Sequence, residues 1–432
     1  MRRVIPALLL IGLLAIVPRA MGARVHTALQ SSNPAAGDTL GVVPEQLELR
    51  FTGPIEQSGS EVVLVDGLGE RTVLLPAGDG DSRSIVRGLP PLTAGGYRVE
   101  WRALAADGHP VEGSFVFYVA GAQTGEAAGG ATLQELRAPP PGELAGEPIP
   151  IAAALLRAGG IGALATLAGL LLLAGWFAST QAGRTWTLIL VFAWVAPVLL
   201  AGHALAWVAY AFGADAGPDP IRQLLSNVPG RVEVARFGLA ALTLWAVALA
   251  RRPRLGALFA VAAVLVSGLA GHSLSFVPEV LVPARAIHVA GLTLWAGGLL
   301  LLLATRGRGE EFQQLVGTVS SLSLAAIGLL AVTGVAHILL YPMGLVVLAT
   351  STYGALLIAK IVGFVTLVGF GARARFRLVP RLPDDAAGHA LRRNVAWEVG
   401  IMTVIFVLTG FLAYTPVPDP VVEPDEFVLV PE

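Results

Sequence analysis

Cysteine is absent from this 432-residue chain. That excludes disulfides, thiolate metal sites and thiol nucleophiles together. Methionine is scarce, with Met1, Met21, Met343 and Met402 the full set. Charge is scarce too: Asp, Glu, Lys and Arg make up 14% of the residues, where a soluble chain carries about 25%. The net charge of −1 supplies no basic field for nucleic acid, and no nucleotide-binding loop motif is present. Lysine occurs only at Lys360. What the chain has in abundance is apolar, with 55% hydrophobic residues and a mean hydropathy of +0.71. Much of it is therefore expected to sit in lipid. Any metal site has to be built from nitrogen and oxygen, chiefly from the seven histidines.

The pattern changes along the chain. Residues 1–25 read as a secretory signal, with Arg2 and Arg3 ahead of an apolar stretch from Val4 to Val17 that is short for a membrane span. Residues 26–120 alternate with period two: Leu47, Leu49 and Phe51 against Glu48 and Arg50, then Tyr97, Val99 and Trp101 against Arg98, Glu100 and Arg102. Short alternating strands between Gly, Pro and Asp turns predict a small all-β sandwich or barrel. Residues 121–148, rich in Gly, Ala, Pro and Glu, read as a linker whose ends lie roughly 30 Å apart as a flexible coil. A helical membrane domain follows over 149–416, then a polar tail over 417–432. Spans are predicted near 151–177, 185–211, 232–250, 255–274, 284–304, 316–340, 354–372 and 394–414, each long enough for about 30 Å of hydrocarbon. About eight transmembrane helices return both ends to one side.

The arginines choose that side. Arg184, then Arg251, Arg252 and Arg254, then Arg306 and Arg308, then Arg373 to Arg393 fall in alternate loops. Loops rich in arginine stay in the cytoplasm. The β-domain is thus expected outside the plasma or inner membrane, as the signal also requires.

Two histidines belong to the β-domain. His26 follows the signal, and His109 ends an Asp107-Gly108-His109 turn before the last strand. If cleavage exposes His26, its amine and imidazole chelate one ion together. With the His109 imidazole and the Asp107 carboxylate they form a nitrogen–oxygen set suited to tetragonal Cu(II). Of the two imperfect small-x-small sites, cleavage after Ala23-Arg24-Val25 would expose His26, whereas a mature start at Ala23 or Arg24 would leave the amine elsewhere.

The run from His26 through Gln30-Ser-Ser-Asn-Pro34 to Gly37, with Leu47-Glu-Leu-Arg-Phe51, Tyr97-Arg-Val-Glu-Trp-Arg102 and Asp107-Gly-His-Pro-Val111, resembles the CopC copper-resistance domain. The resemblance implies an Ig-like β-barrel that binds Cu(II) through His26, Asp107 and His109. The methionine-rich Cu(I) site of some relatives has no counterpart here.

Four more histidines, His203, His272, His288 and His337, lie in the predicted spans, all in the half nearer the outer side. Ionisable groups inside a membrane are costly and mark pathways by default. They are equally able to serve as interhelical hydrogen-bonders. Their common depth fits a copper path fed by the domain above, with Trp295, Lys360 and Met343 as supporting candidates. Glu233 and Arg236, one turn apart, are placed to pair with each other. Gly297 and Gly298 permit close helix approach. His389 falls in a cytoplasmic loop and receives no role. His288-x6-Trp295-x-Gly297-Gly298-Leu299, Tyr353-Gly354 with Lys360, Leu378-Val-Pro-Arg-Leu382 and the segment from Leu391 to Pro416 resemble the CopD family. That resemblance implies copper movement, usually into the cytoplasm.

The reading is therefore a copper-binding and copper-transporting membrane protein, not an enzyme. A haem b or copper redox protein using the intramembrane histidines is the alternative, since paired histidines also bind haem. A copper-dependent enzyme is a third class, for which no substrate-binding signal is seen.

Overall fold

The computed structural model describes residues 27–78, 80–106, 108–120, 150–175, 182–213, 219–269, 278–305, 310–340, 349–382 and 384–415. The expected signal, His26, Asp107, the linker, His272, Met343 and the tail lie outside the described residues.

The period-two segments form two sheets. One orders β1 (Leu29–Asn33), β3 (Gln46–Phe51) and β6 (Ser84–Gly88) as β1-β3-β6. The other orders β2 (Thr39–Leu40), β4 (Ile55–Val65), β5 (Arg71–Val73), β7 (Gly95–Ala105) and β8 (Pro110–Val119) as β2-β8-β7-β4-β5. All pairings are antiparallel except β2 with β8. Alternation puts Leu47, Leu49 and Phe51 of one sheet against Tyr97, Val99, Trp101, Phe115 and Phe117 of the other in a single core. Phe51 meets Trp101 edge-on with ring centroids 5.3 Å apart, a favoured aromatic geometry. Glu48 and Arg50, on the opposite face of β3, pair at 3.0 Å. The domain is the expected all-β sandwich.

The second half is helical: α1 (Ile151–Ala174), α2 (Ala182–Phe212), α3 (Pro220–Ser226), α4 (Val228–Leu244), α5 (Pro253–Val266), α6 (Pro278–Ala304), α7 (Glu310–Leu340), α8 (Thr352–Arg373) and α9 (Asp385–Leu412). A π-helical turn carries α4 on to Leu249 and another carries α8 to Leu378. Side-chain oxygens of Asp219, Asn227, Ser351 and Asp384 accept N–H groups at the starts of α3, α4, α8 and α9, as N-caps do. Among the described residues seven helices are long and apolar enough to cross a membrane. Of the predicted fourth span, the described part is α5 with its 3₁₀ turn, 17 residues over Pro253–Leu269, or about 25 Å at the helical rise. Helices α6 and α7 begin at Pro278 and Glu310, ahead of the apolar windows at 284 and 316, because hydropathy reads the greasy centre of a helix and not its polar ends.

Helix α1 is the hub and packs against α2, α5, α6 and α9. At its crossing with α6, a Cβ on Gly169 would collide with the carbonyl of Thr293, and one on Gly297 with the backbone of Gly169. Only glycine lets these two backbones approach so closely. Helix α8 lies at the edge of the bundle: Leu367 is buried and Phe364 packs on the core, while Ile358, Ile361, Val362 and Val365 are exposed.

The β-domain sits on one end of the bundle. Leu104, fully buried, packs in one cluster with Ala204, Trp207, Val208 and Tyr414. Polar contacts surround it. The Ser58 hydroxyl donates to Ser226 O at 2.9 Å. Val228 N–H donates to Glu56 Oε1 at 3.2 Å, and Arg102 Nη2 donates to Tyr210 O at 3.0 Å.

Candidate functional site

The turn between β7 and β8 meets the bundle directly. Gly108 N–H donates to Ala105 O at 2.8 Å and Ala105 N–H to His109 O at 2.9 Å, which closes the turn. Gly108 has φ +92°, a conformation that glycine adopts without a Cβ penalty. A Cβ there would also come within 3.2 Å of Pro229, so glycine serves both the turn and its seat on α4. The Trp207 indole N–H donates to Gly108 O at 3.3 Å. The His109 Nε2–H donates to Ala413 O at 2.9 Å. The His109 ring stands edge-on to Tyr210 at 6.5 Å, and Tyr210 edge-on to Tyr414 at 5.1 Å.

Below that contact lies a buried polar chain. Tyr414 Oη is 2.8 Å from His203 Nε2, and His203 Nδ1 is 3.0 Å from Glu233 Oε2. Arg236 Nη1 donates to both Glu233 oxygens, at 2.6 and 2.7 Å, and Arg236 Nε donates to Ser267 Oγ at 3.0 Å. Arg157 approaches Glu233 to 3.9 Å. His203, Glu233 and Arg236 are 0%, 4% and 0% exposed, so each charge depends on its partner for the solvation it lost. A carboxylate paired with Arg236 only accepts. Nδ1 of His203 therefore carries the ring proton, and Nε2 accepts from the tyrosine hydroxyl.

The other membrane histidines gather elsewhere. His288 on α6 and His337 on α7 have ring centroids 6.2 Å apart, and both use Nδ1 on Thr333. His288 Nδ1 is 2.8 Å from Thr333 Oγ1, and His337 Nδ1 is 2.7 Å from Thr333 O. The Thr333 hydroxyl donates to Leu329 O at 2.6 Å, so its oxygen is the acceptor for His288. Lys360 and Arg285 bring positive charge to bear on this pair. Trp295 is fully buried and packs edge-on against Phe364 at 6.4 Å. Thus the structure pairs His288 with His337 and ties His203 to Glu233 and Tyr414, in two separate networks. Among the described residues no three His, Asp or Glu side chains converge as a metal cage. Of the expected Cu(II) ligands, only His109 is among the described residues.

Comparison with known proteins gives the two halves their relatives. The CopC domain family matches residues 29–120, and the Copper resistance protein D family matches 313–412. Copper resistance protein C of Pseudomonas syringae pv. tomato is 36% identical over 105 residues, covering 22% of this chain and 82% of that protein. This chain belongs to the CopC copper-resistance family and carries a CopD domain in the same polypeptide. Copper transport protein CutJ of Bacillus subtilis (strain 168) is 25% identical, across 92% of this chain and 76% of its own length. The crystal structure of CopC from Methylosinus trichosporium OB3b is 31% identical, covering 23% of this chain and 100% of that one, at a TM-score of 0.21.

Set against the CopC and CopD matches, the docked site falls partly outside both. The CopC match begins after His26, and the CopD match ends at 412, just short of the Ala413–Tyr414 step. Sequence reasoning missed Tyr414 and Arg157, because a tyrosine at the end of an apolar run reads as an interface residue and a single arginine there as a snorkelling one. It also missed Glu398 and Asn394 on α9, both buried, with Asn394 Nδ2 donating to Glu398 Oε1 at 2.7 Å. The predicted span began at 394, which placed them at a cytoplasmic boundary. The expected Glu233–Arg236 pair is present. His389 is exposed and donates from Nδ1 to its own helix at Asp385 O, 2.9 Å away.

Proposed function

We propose that this chain captures Cu(II) on its β-domain outside the membrane and imports it through the helical bundle. His26, Asp107 and His109 are the ligands in this reading, and the membrane histidines receive the ion. One observation carries it: His109, a proposed ligand, sits 2.9 Å from Ala413 O at the mouth of the bundle. The adjoining Tyr414 hydroxyl binds a buried histidine, His203. A capture domain seated over ionisable groups in the membrane is what delivery requires. The paired imidazoles of His288 and His337 supply exchangeable nitrogen donors in a second network, as conduction needs sites that bind weakly enough to release. The arginine-rich loops support the outward placement of the β-domain.

The deciding experiment is copper entry into copper-free proteoliposomes holding the purified chain with its β-domain outward. Entry above that of protein-free vesicles is expected, and its loss on His109→Ala. Entry equal to the protein-free control would overturn transport. A Soret band in the purified protein would instead support the haem b alternative.

A further inference from the structure

We infer that Glu398 is a proton-binding site, reached through a cavity between α6, α7, α8 and α9 next to the arginine-rich loops. It lies apart from the histidines of the proposed copper path and adds a group able to make transport depend on pH. Only that effect on transport rests on the reading above; the proton site itself does not.

Glu233 and Glu398 are both buried in the bundle, at 4% and 3% exposed, but their partners differ. Glu233 receives the Arg236 guanidinium on both oxygens. Glu398 receives a neutral amide, with Asn394 Nδ2 donating to its Oε1 at 2.7 Å, and among the described residues no ion pair reaches it. Cations stand close by and are bound to neutral groups instead. Arg373 Nη1 donates to Asn394 Oδ1 at 3.3 Å, and Arg375 Nη1 donates to Ser320 Oγ at 2.8 Å. The Asn394 amide is fixed by this arrangement: its oxygen takes Arg373, and its nitrogen spans Glu398 and Phe370 O, the latter at 3.1 Å. An ionised carboxylate lining the same cavity as Arg375 would draw that guanidinium to itself. A lone charge in such a place is costly, and a carboxylate relieves the cost by taking up a proton.

The cavity supplies the route. Leu302, Ser320, Ser323, Arg375 and Glu398 line it, and its volume of about 220 Å³ has room for several waters. It borders the π-helical turn Ala374–Leu378, a feature frequent at functional sites. One carboxyl with no histidine in the lining is a poor metal cage, whereas a proton needs no coordination shell. The walls from α6 and α7 carry no charge. The α8 side brings Arg373, Arg375 and the exposed Arg377 and Arg381. On α9 itself His389 and Arg393 are exposed, and Arg392 stands over the Phe312 ring. Helix α1, also packed on α9, has one ionisable residue, Arg157, which lies beside Glu233.

The test uses the full chain in lipid. At about pH 7 exposed carboxyls are ionised, and Glu233 is held by Arg236. A protonated-carboxyl band in the infrared spectrum is therefore expected in the parent and lost in Glu398→Gln, which keeps an oxygen for the Asn394 amide. If that variant does not reach the membrane, a hydrophobic carbodiimide reads the same property in the parent. It attacks protonated carboxyls in apolar surroundings and is expected to label Glu398, as located by mass spectrometry. In proteoliposomes with the β-domain outward, copper entry into the parent is expected to change with the pH inside. Glu398→Gln mimics the protonated group and is expected to hold the parent's acid-side rate at every pH. His389→Ala is expected to keep the parental profile, which separates Glu398 from the exposed histidine on its own helix. An unchanged infrared band in Glu398→Gln, an unlabelled Glu398, or a parental pH profile in Glu398→Gln overturns the inference. No copper entry in the parent overturns the transport reading instead, and the infrared band then still decides the proton site.

Discussion

Tyr414 and His203, 211 positions apart in sequence, are joined by a 2.8 Å hydrogen bond inside the bundle. The residue before that tyrosine, Ala413, receives His109 of the β-domain. Two consecutive residues at the end of the last helix therefore hold one histidine from each half of the chain.

Tyr414→Phe keeps the ring and removes the hydroxyl. It leaves His203 Nε2 buried without its donor, which costs about 1–3 kcal/mol. A lower melting temperature of the purified protein is expected, together with slower copper uptake and an unchanged Cu(II) electron-spin-resonance spectrum. Parental melting and uptake would mean that the bond contributes nothing.

Glu233 balances Arg236 and Arg157 in a site closed to water. Glu233→Ala strands buried positive charge, and breaking a buried pair in this way costs about 3–5 kcal/mol. The expected result is a sharp fall in folded protein in the membrane. Glu233→Leu with Arg236→Met replaces the pair by apolar volume and is expected to recover much of that abundance. Recovery of folded protein without recovery of uptake would assign the pair a functional role. Equal abundance of the single variant and the parent would refute the balance described.

His288 and His337 are tested through their shared threonine. His288→Ala and His272→Ala are each expected to cut copper accumulation in cells while the β-domain keeps its Cu(II) signal. Thr333→Val, which removes the hydroxyl that holds His288 Nδ1 at 2.8 Å, is expected to reproduce part of the loss. His389→Ala, on an exposed helical turn, is the control and should do nothing. Normal accumulation at normal abundance in all the span variants would make these histidines packing residues.

The proposed orientation rests on the arginine-rich loops together with the expected signal. A cysteine at Gly217 is expected to react with an impermeant maleimide added outside intact cells, and one at Gly307 only after the cells are opened. The reverse pattern would place the β-domain in the cytoplasm and end the capture reading.

How much of this was legible in the residues depends on how local the cause is. The sandwich was legible, because Leu47, Leu49 and Phe51 alternate with Glu48 and Arg50, and a pleated strand sends neighbours to opposite faces. The spans were legible because uninterrupted apolar length is a one-dimensional property. The Glu233–Arg236 pair was legible from its one-turn spacing. Family resemblance lay in local motifs as well, including the Asp107-Gly108-His109 turn and the His288–Trp295 spacing.

What only the tertiary structure decided is which distant residues meet. His109 reaches Ala413 across 304 positions, and His288 meets His337 while His203 goes to Glu233 and Tyr414. Depth along a span can be counted from the sequence, but a helix apolar on every side carries no stripe to say which face turns inward. Helix rotation here is set by contacts such as Gly169 on Gly297, and it sorts the histidines into two networks. The docking of the β-domain is likewise a fit of surfaces, Leu104 into the Trp207–Tyr414 cluster. No period or spacing encodes such a fit, because its partners become neighbours only after both halves have folded.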